Sequence, residues 1–167
     1  DLTSNNQVEL KNRRILLMGA GGAARGVISP LLAEQPSALV IVNRTANKAI
    51  DLASEFNDIG NVSGCGYEKL AEQEAFDVMI NATAASLKGE LPPLPDNVAA
   101  ENCCCYDMMY GAEPTTFMQW AREHDAAKIL DGLGMLVEQA AESFALWRGV
   151  RPNTHVVIEI LRKELQA

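Results

Sequence analysis

The sequence predicts an α/β fold with a doubly wound, mainly parallel sheet and helices on both faces. Short apolar runs alternate with segments of helical pattern, and a glycine-rich turn directly follows the first run. The chain has 167 residues, 48% of them apolar, which suffices for one domain with a core and leaves little room for a second. We therefore predict a single domain over residues 1–167.

Each predicted strand is a short apolar run that ends near a polar or glycine residue, as expected for strands buried on both faces. The clear candidates are 14–18, 38–42, 76–81 and 103–107, and the weaker ones are 62–66 and 128–130. Helical segments fall between them at 22–34, 46–57 and 115–125. After residue 131 the alternation stops, and two helices are predicted at 132–148 and 154–166.

Charge and composition exclude several classes of function. The net charge of −8 disfavours a non-specific grip on nucleic acid or on an anionic membrane surface. No apolar stretch approaches the roughly 20 residues of a membrane span, and the polar N-terminal residues lack a signal-peptide profile. We expect a soluble, cytoplasmic protein that binds neither nucleic acid nor membrane.

The four cysteines lack the spacing of a metal site. Cys65 stands alone and Cys103, Cys104 and Cys105 are consecutive, without a C-x-x-C pattern or a histidine cluster nearby. Free cysteine behaves as a small apolar residue, so we predict buried strand positions in a reducing cytosol and no metal.

A dinucleotide site is predicted at the turn Gly19-Ala20-Gly21-Gly22-Ala23, which follows a strand and opens a helix. In this context of a Rossmann-type fold, the glycines allow a tight turn and a close approach of backbone to a pyrophosphate. A βα turn without a ligand is the alternative, but turning alone does not need the additional glycine at Gly22.

The residues after the second strand favour NADP over NAD. An NAD site usually has an acidic residue about 20 positions beyond the glycines, whereas this sequence reads Asn43-Arg44-Thr45, followed by Lys48. With Thr45 as the predicted N-cap, both cations lie near a helix N-terminus, where the macrodipole disfavours them unless an anion is bound. A ribose 2′-phosphate is such an anion, and solvated surface cations are the alternative.

In the first C-terminal helix, Gly132, Met135 and Gln139 share one face by their spacing. The other face is predicted to pack on the core. Its residues are Leu133, Leu136, Val137, Ala140 and Phe144.

Together these motifs closely resemble the NADP-binding domain of shikimate dehydrogenases. The resemblance rests on motifs that occur in the family's order over nearly the whole chain. They are the glycine turn with Arg25-Gly26, Asn43-Arg44-Thr45, Asn81-Ala82-Thr83, Tyr106-Asp107-Met108-Met109-Tyr110 and the segment from Asp131 to Ala140.

The resemblance implies NADPH-dependent reduction of 3-dehydroshikimate to shikimate, in the route to aromatic amino acids. It implies that Gly19 to Ala23 hold the pyrophosphate, that Asn43, Arg44, Thr45 and Lys48 hold the 2′-phosphate end, and that Thr83 lies near the cofactor. Met108, Gly132 and Met135 would lie on the nicotinamide side, and Tyr110 and Gln139 would reach the shikimate.

Two departures from the family pattern stand out. Ala84-Ala85-Ser86 replaces a common Ser-Ser-Gly, which removes hydroxyls and flexibility beside the cofactor. The family's catalytic Lys and Asp belong to a substrate domain that would precede Asp1. We therefore expect no catalytic residue in this chain, NADP binding without turnover, and C-terminal helices that face the missing domain.

The sequence also fits other functions. The closest enzymatic rival is another shikimate- or quinate-type dehydrogenase. A non-enzymatic module that binds NADP and assembles as a homodimer through the C-terminal helices is a further alternative.

Other candidate groups offer no convincing catalytic pair. His124 and His155 are interpreted as surface or helix-end residues, and Asp107 as a structural carboxylate. Trp120 and Trp147 are predicted to be packing residues.

Overall fold

A computed structural model describes residues 1–85 and 89–166. The strands are β1 Arg14–Met18, β2 Ala38–Val42, β3 Val62–Cys65, β4 Phe76–Asn81, β5 Ala99–Asp107 and β6 Lys128–Asp131. The helices are α1 Gly22–Ala33, α2 Ala46–Ser54, α3 Thr116–Glu123, α4 Leu133–Arg148 and α5 Thr154–Leu165, with a 3₁₀ helix at Tyr67–Glu72.

The six strands form one parallel sheet in the order β3-β2-β1-β4-β5-β6. After β1 the chain adds β2 and β3 on one side, then returns to place β4 on the other side of β1. The strand order therefore reverses between β1 and β4, and the loops that follow these two adjacent strands lead in opposite directions. Open parallel sheets form a binding crevice between two such loops. The predicted fold class is confirmed.

Two apolar layers cover the faces of the sheet. Alternate residues of β1 point to opposite sides, so Ile15 and Leu17 join one layer while Leu16 and Met18 join the other. The first layer is completed by α1 and α2 and the second by α3 and the 3₁₀ helix. Both layers keep the strand ends fixed beneath the loops that follow them.

Several element boundaries differ from the prediction. β5 begins at Ala99, four residues early, because an irregularity brings Phe76 opposite Ala99 and Val78 opposite Cys104. The 3₁₀ helix was not predicted, and α2 ends at Ser54. Gly132 is the N-cap of α4 rather than its first helical residue.

The core-facing stripe predicted for α4 is partly wrong. Leu133 and Val137 are buried, but Leu136 and Phe144 are 42% and 46% exposed and Ala140 is exposed. The buried stripe instead continues at Ala141, because residues spaced by four lie above one another on a helix. Trp120 is buried as predicted, whereas the packing prediction for Trp147 is wrong, since it is 77% exposed.

α5 contains no buried residue among those described, and ion pairs connect it and the loop before it to the rest of the chain. Arg162 forms a two-pronged ion pair with Asp131 at the end of β6. Arg151, in the loop before α5, pairs with Glu138 and Glu142 of α4. Within the described residues, no helix is long and apolar enough to cross a membrane.

Candidate functional site

The candidate site lies at the carboxyl edge of the sheet, where the loops after β1 and β4 meet. Gly19 follows β1 with φ +108°, a conformation that favours glycine, and its N–H donates to the Val42 carbonyl at 2.7 Å. A Cβ on Gly19 would lie 3.1 Å from the Ala82 carbonyl oxygen. Gly19 is therefore required by the chain's own geometry.

Gly21 and Gly22 differ from Gly19, because a Cβ on either would meet nothing within 4 Å. Gly21 is the N-cap of α1 at φ −94°, so neither packing nor backbone conformation demands glycine there. It offers no side chain to cap the helix, which leaves first-turn N–H groups facing the open space. Backbone N–H groups at an uncovered helix N-terminus fit a pyrophosphate.

The predicted 2′-phosphate residues lie at the end of β2, beside this turn. Arg44 and Lys48 are exposed, and neither forms an ion pair within residues 1–85 and 89–166, whereas the nearby Arg25 pairs with Glu55. Two cations without a carboxylate partner next to an open helix N-terminus fit an anionic ligand.

Asn43 and Thr45 shape the turn that carries Arg44. The Asn43 side chain donates to the Thr45 carbonyl at 3.1 Å, and its backbone N–H donates to the Cys65 carbonyl at 3.2 Å. Thr45 is the N-cap of α2 as predicted, but its hydroxyl makes no capping hydrogen bond. In this structure Asn43 and Thr45 therefore determine the conformation of the turn.

A cavity of about 320 Å³ brings these residues together with the loop after β4. Asn43, Arg44 and Thr83 line this cavity, so three of the predicted cofactor residues share it. Ala84 and Ala85, of the loop that the sequence placed beside the cofactor, also line it. The rest of its described lining was not predicted and consists of Tyr67, Glu90 and the segment 91–93. Ser86, the last residue of the variant loop, lies outside the described residues.

A buried polar pair fixes the loops after β4 and β5. Asn81 and Asp107 are both fully buried, and the Asn81 amide donates to the Asp107 carboxylate at 3.1 Å. The Asn81 side-chain carbonyl accepts from the backbone and hydroxyl of Thr83, at 3.1 and 2.7 Å. Asp107 also accepts from the Thr115 hydroxyl and the Met109 N–H. This geometry supports the structural interpretation of Asp107, and the pair positions Thr83 at the site.

The predicted nicotinamide side is compact. A Cβ on Gly132 would collide with the Met108 carbonyl, and the Gly132 N–H donates to the Met109 carbonyl at 3.1 Å. Met108 and Met135 line a mainly apolar cavity of about 240 Å³. At the same cavity the Tyr106 hydroxyl donates to the Asp1 carboxylate at 2.6 Å. The structure thus brings Met108, Gly132 and Met135 together.

Tyr110 and Gln139 are exposed, and neither lines the two cavities just described. Tyr110 is 40% exposed in the loop after β5. Gln139 lies farther along α4 than Met135, and its backbone carbonyl accepts from Ser143 at 3.1 Å. Their contact with the substrate stays a prediction.

Neither histidine lines the two cavities described above, and the cysteines of β5 are buried. His124 stacks on Trp120, and His155 is exposed near Glu159 at the start of α5. Burial raises the pKa of Cys104 to about 11, with a further contribution from Cys103, so its thiol stays protonated near neutral pH. Cys103 and Cys105 are buried in the same strand.

Sequence comparison agrees with this geometry. The profile described as shikimate / quinate 5-dehydrogenase matches residues 1–88. The chain belongs to this family. A second profile, the shikimate 5′-dehydrogenase C-terminal domain, matches residues 132–162.

Individual members of the family are similar over almost all of the chain. A shikimate dehydrogenase (NADP(+)) from Chromohalobacter salexigens is 61% identical over 158 residues, covering 95% of this chain and 57% of the relative. The crystal structure of an Ael1 enzyme from Pseudomonas putida has a TM-score of 0.86 and 47% identity, covering 100% of this chain and 59% of that one. Shikimate 5-dehydrogenase from Thermus thermophilus, solved with shikimate, has a TM-score of 0.78 and 30% identity, covering 99% and 59%. The chain thus spans less than two thirds of the relatives it matches.

Proposed function

We propose that the chain binds NADP and serves the reduction of 3-dehydroshikimate to shikimate by NADPH. One observation carries the proposal: the open glycine turn at the crossover of the sheet lies next to two cations that lack carboxylate partners among the described residues. The first feature suits a pyrophosphate and the second an additional phosphate. The family relationship supplies the reaction.

In this proposal each part of the edge holds one part of the cofactor. Gly19 to Ala23 hold the pyrophosphate, and Asn43, Arg44, Thr45 and Lys48 surround the 2′-phosphate end with Thr83 nearby. Met108 and Met135, which line one cavity, would lie on the nicotinamide side together with Gly132. The exposed Tyr110 and Gln139 would face the substrate. NADPH held there would supply the hydride, and these residues would orient it.

We further propose that residues 1–167 form the NADP-binding domain of a larger active unit. Reduction of the substrate carbonyl also needs a proton donor, and the relatives extend well beyond the part that this chain matches, since it covers 57% and 59% of two of them. That donor would come from a substrate domain, and exposed apolar residues of α4 and α5 would face it. Four free cysteines fit a reducing cytoplasm.

A second candidate is an NADP-binding module that assembles as a homodimer. The observation that favours it is the exposed apolar surface of the C-terminal helices and the loop between them. Its most exposed members are Leu146, Trp147, Val150, Val156 and Ile160. Sedimentation equilibrium of the 167-residue chain tests it: a monomer at micromolar concentration contradicts assembly through this surface.

The 2′-phosphate assignment is tested by titrating NADP and NAD into the Arg44→Ala and Lys48→Ala variants. Loss of a charge-assisted hydrogen bond of about 2 kcal/mol weakens NADP binding about 30-fold, while NAD, which lacks this phosphate, loses much less. Arg122→Ala is the matched control, because Arg122 is an exposed arginine on α3, away from the site. Equal losses for NADP and NAD would refute the assignment.

The placement of the proton donor is tested by mixing the chain with shikimate and NADP and following absorbance of the reduced cofactor. We expect binding without turnover. Steady turnover would show that the proton-transfer groups lie within these residues. Use of quinate in place of shikimate by the active unit would instead support the quinate branch of the family.

A further inference from the structure

Tyr67 shares the cavity of Arg44 and Thr83, although nothing in the glycine or cation motifs involves it. It opens the 3₁₀ helix that follows β3, two positions after the last residue of that strand. β3 pairs with β2 in parallel, so the loops after both strands emerge at the same edge. The hydrogen bond from the Asn43 N–H to the Cys65 carbonyl ties these two loops together.

The chemistry of this cavity suits a flat base. Tyr67 is half-buried and packs against the apolar layer that contains Leu70 and Phe76, so its ring has a supported position. An aromatic ring and a guanidinium group on one cavity are the two side-chain types on which nucleobases stack. Pro92 and Pro93 add rigid apolar walls to the same space.

We propose that Tyr67, together with Arg44, binds the adenine base of the cofactor and that Tyr67 contributes nothing to recognition of the 2′-phosphate. The inference rests on the proposed function, since it assumes that a dinucleotide occupies this edge. It adds a residue that determines affinity for adenine rather than the choice between NADP and NAD.

The expected selectivity follows from the neutrality of the phenol. Burial raises the pKa of Tyr67 to about 12, so the side chain carries no charge between about pH 7 and 9. A neutral ring stacks equally well on NADP and NAD, whereas Arg44 also attracts the phosphate that only NADP carries. Substitution of Tyr67 should therefore weaken NADP and NAD equally, whereas substitution of Arg44 should weaken NADP more than NAD.

The test measures dissociation constants by calorimetry for NADP, NAD, adenosine 2′,5′-bisphosphate and nicotinamide mononucleotide. Tyr67→Leu removes the ring and retains an apolar side chain, and we expect about 10- to 100-fold weaker binding of all three adenine-containing ligands. Affinity for nicotinamide mononucleotide should not change. Tyr67→Phe should bind within about 2-fold of the wild type, because the ring and not the hydroxyl makes the contact. Arg44→Ala should weaken NADP and the bisphosphate more than NAD.

Loss confined to ligands with a 2′-phosphate, or unchanged affinity in Tyr67→Leu, would overturn the proposal. If Tyr67→Leu does not fold, nuclear Overhauser effects between adenine protons and the Tyr67 ring decide in the wild type, with Tyr67→Phe assigning the tyrosine signals. Their absence in the saturated complex also overturns it. A wild-type chain that binds none of these ligands overturns the proposed function and this inference together, whereas normal binding with an unaffected Tyr67→Leu overturns only the inference.

Discussion

Gly19 and Gly21 belong to one motif, but the structure predicts opposite consequences when each is replaced by alanine. At Gly19 an alanine must adopt φ +108° with its Cβ 3.1 Å from the Ala82 carbonyl oxygen. Backbone strain of this kind costs about 1–3 kcal/mol. At Gly21 the backbone has φ −94° and the added Cβ meets no atom within 4 Å. Replacement there should have little effect on stability.

The magnitudes separate the two variants clearly. With about 2–4 °C of melting temperature per kcal/mol for a domain of this size, a loss of about 2 kcal/mol in Gly19→Ala lowers the melting temperature by about 4–8 °C. Gly21→Ala loses only the N-cap preference of glycine over alanine, about 0.5 kcal/mol, and should melt within about 2 °C of the wild type. Its methyl group instead occupies the space over the helix N-terminus, and loss of one charge-assisted hydrogen bond there weakens NADP about 10- to 100-fold.

Thermal unfolding followed by circular dichroism, and calorimetric titration with NADP, measure the two effects on the same samples. Gly26→Ala is a control for a glycine with open space inside α1, and it should be neutral or stabilising. The reasoning is refuted if Gly21→Ala destabilises the chain as much as Gly19→Ala does. It is also refuted if Gly21→Ala binds NADP with wild-type affinity, because the open space then has no ligand to hold.

Two further outcomes follow from buried and bridging polar groups. Asn81→Leu removes a donor to the fully buried Asp107 and both hydrogen bonds to Thr83, so we expect about 2–4 kcal/mol of destabilisation and weaker NADP binding. Chemical denaturation measures the loss of stability, and a variant as stable as the wild type would contradict this prediction. Burial alone would raise the pKa of Glu138, but hydrogen bonds from Asn5, Thr154 and Arg151 hold it below the ordinary glutamate range. Because the folded pKa lies below the unfolded one, this stabilisation is present above about pH 4.3 and is lost as the pH falls through the folded pKa. Glu138→Gln should therefore flatten the acid side of the stability profile, and an unchanged profile would count against this interpretation.

Sequence patterns predicted the sheet well because its strands are buried on both faces. Three strands have the predicted bounds, since each is an apolar run that stops at a polar or glycine residue, as β2 stops before Asn43. The start of β5 was missed, because Ala99 to Asn102 contains polar residues and an irregular pairing that no apolar pattern records. The 3₁₀ helix was missed for a related reason, since six residues provide too little periodicity.

The parts of the candidate site that could be predicted are those whose backbone or charge requirements restrict the residue type. Gly19, Gly21 and Arg44 were predicted from the conformation of a turn and the charge of an expected anion, and the structure places them at one edge of the sheet. Tyr67 had no such signature, because its place at the cavity depends on how β3 aligns with β2. The α4 stripe failed because periodicity gives the apolar residues of a helix but not the width of the face that packs on the core. Here the buried face is the narrow line through Leu133, Val137 and Ala141, and Leu136 and Phe144 lie beside it.

The attachment of α5 has a consequence for how the C-terminal end responds to ionic strength. Arg151, in the loop before α5, is 53% exposed and its partner Glu142 is 64% exposed. Arg162, near the end of the helix, is 38% exposed and its partner Asp131 only 8%. Added salt screens exposed pairs much more than shielded ones. We therefore expect α5 to detach first at its N-terminal turn as salt is added. The ion pair of Arg162 with Asp131 should keep the C-terminal part of the helix at the sheet for longer. A fluorophore attached to the cysteine of His155→Cys should change its emission at salt concentrations at which a fluorophore attached near Lys163 shows no change.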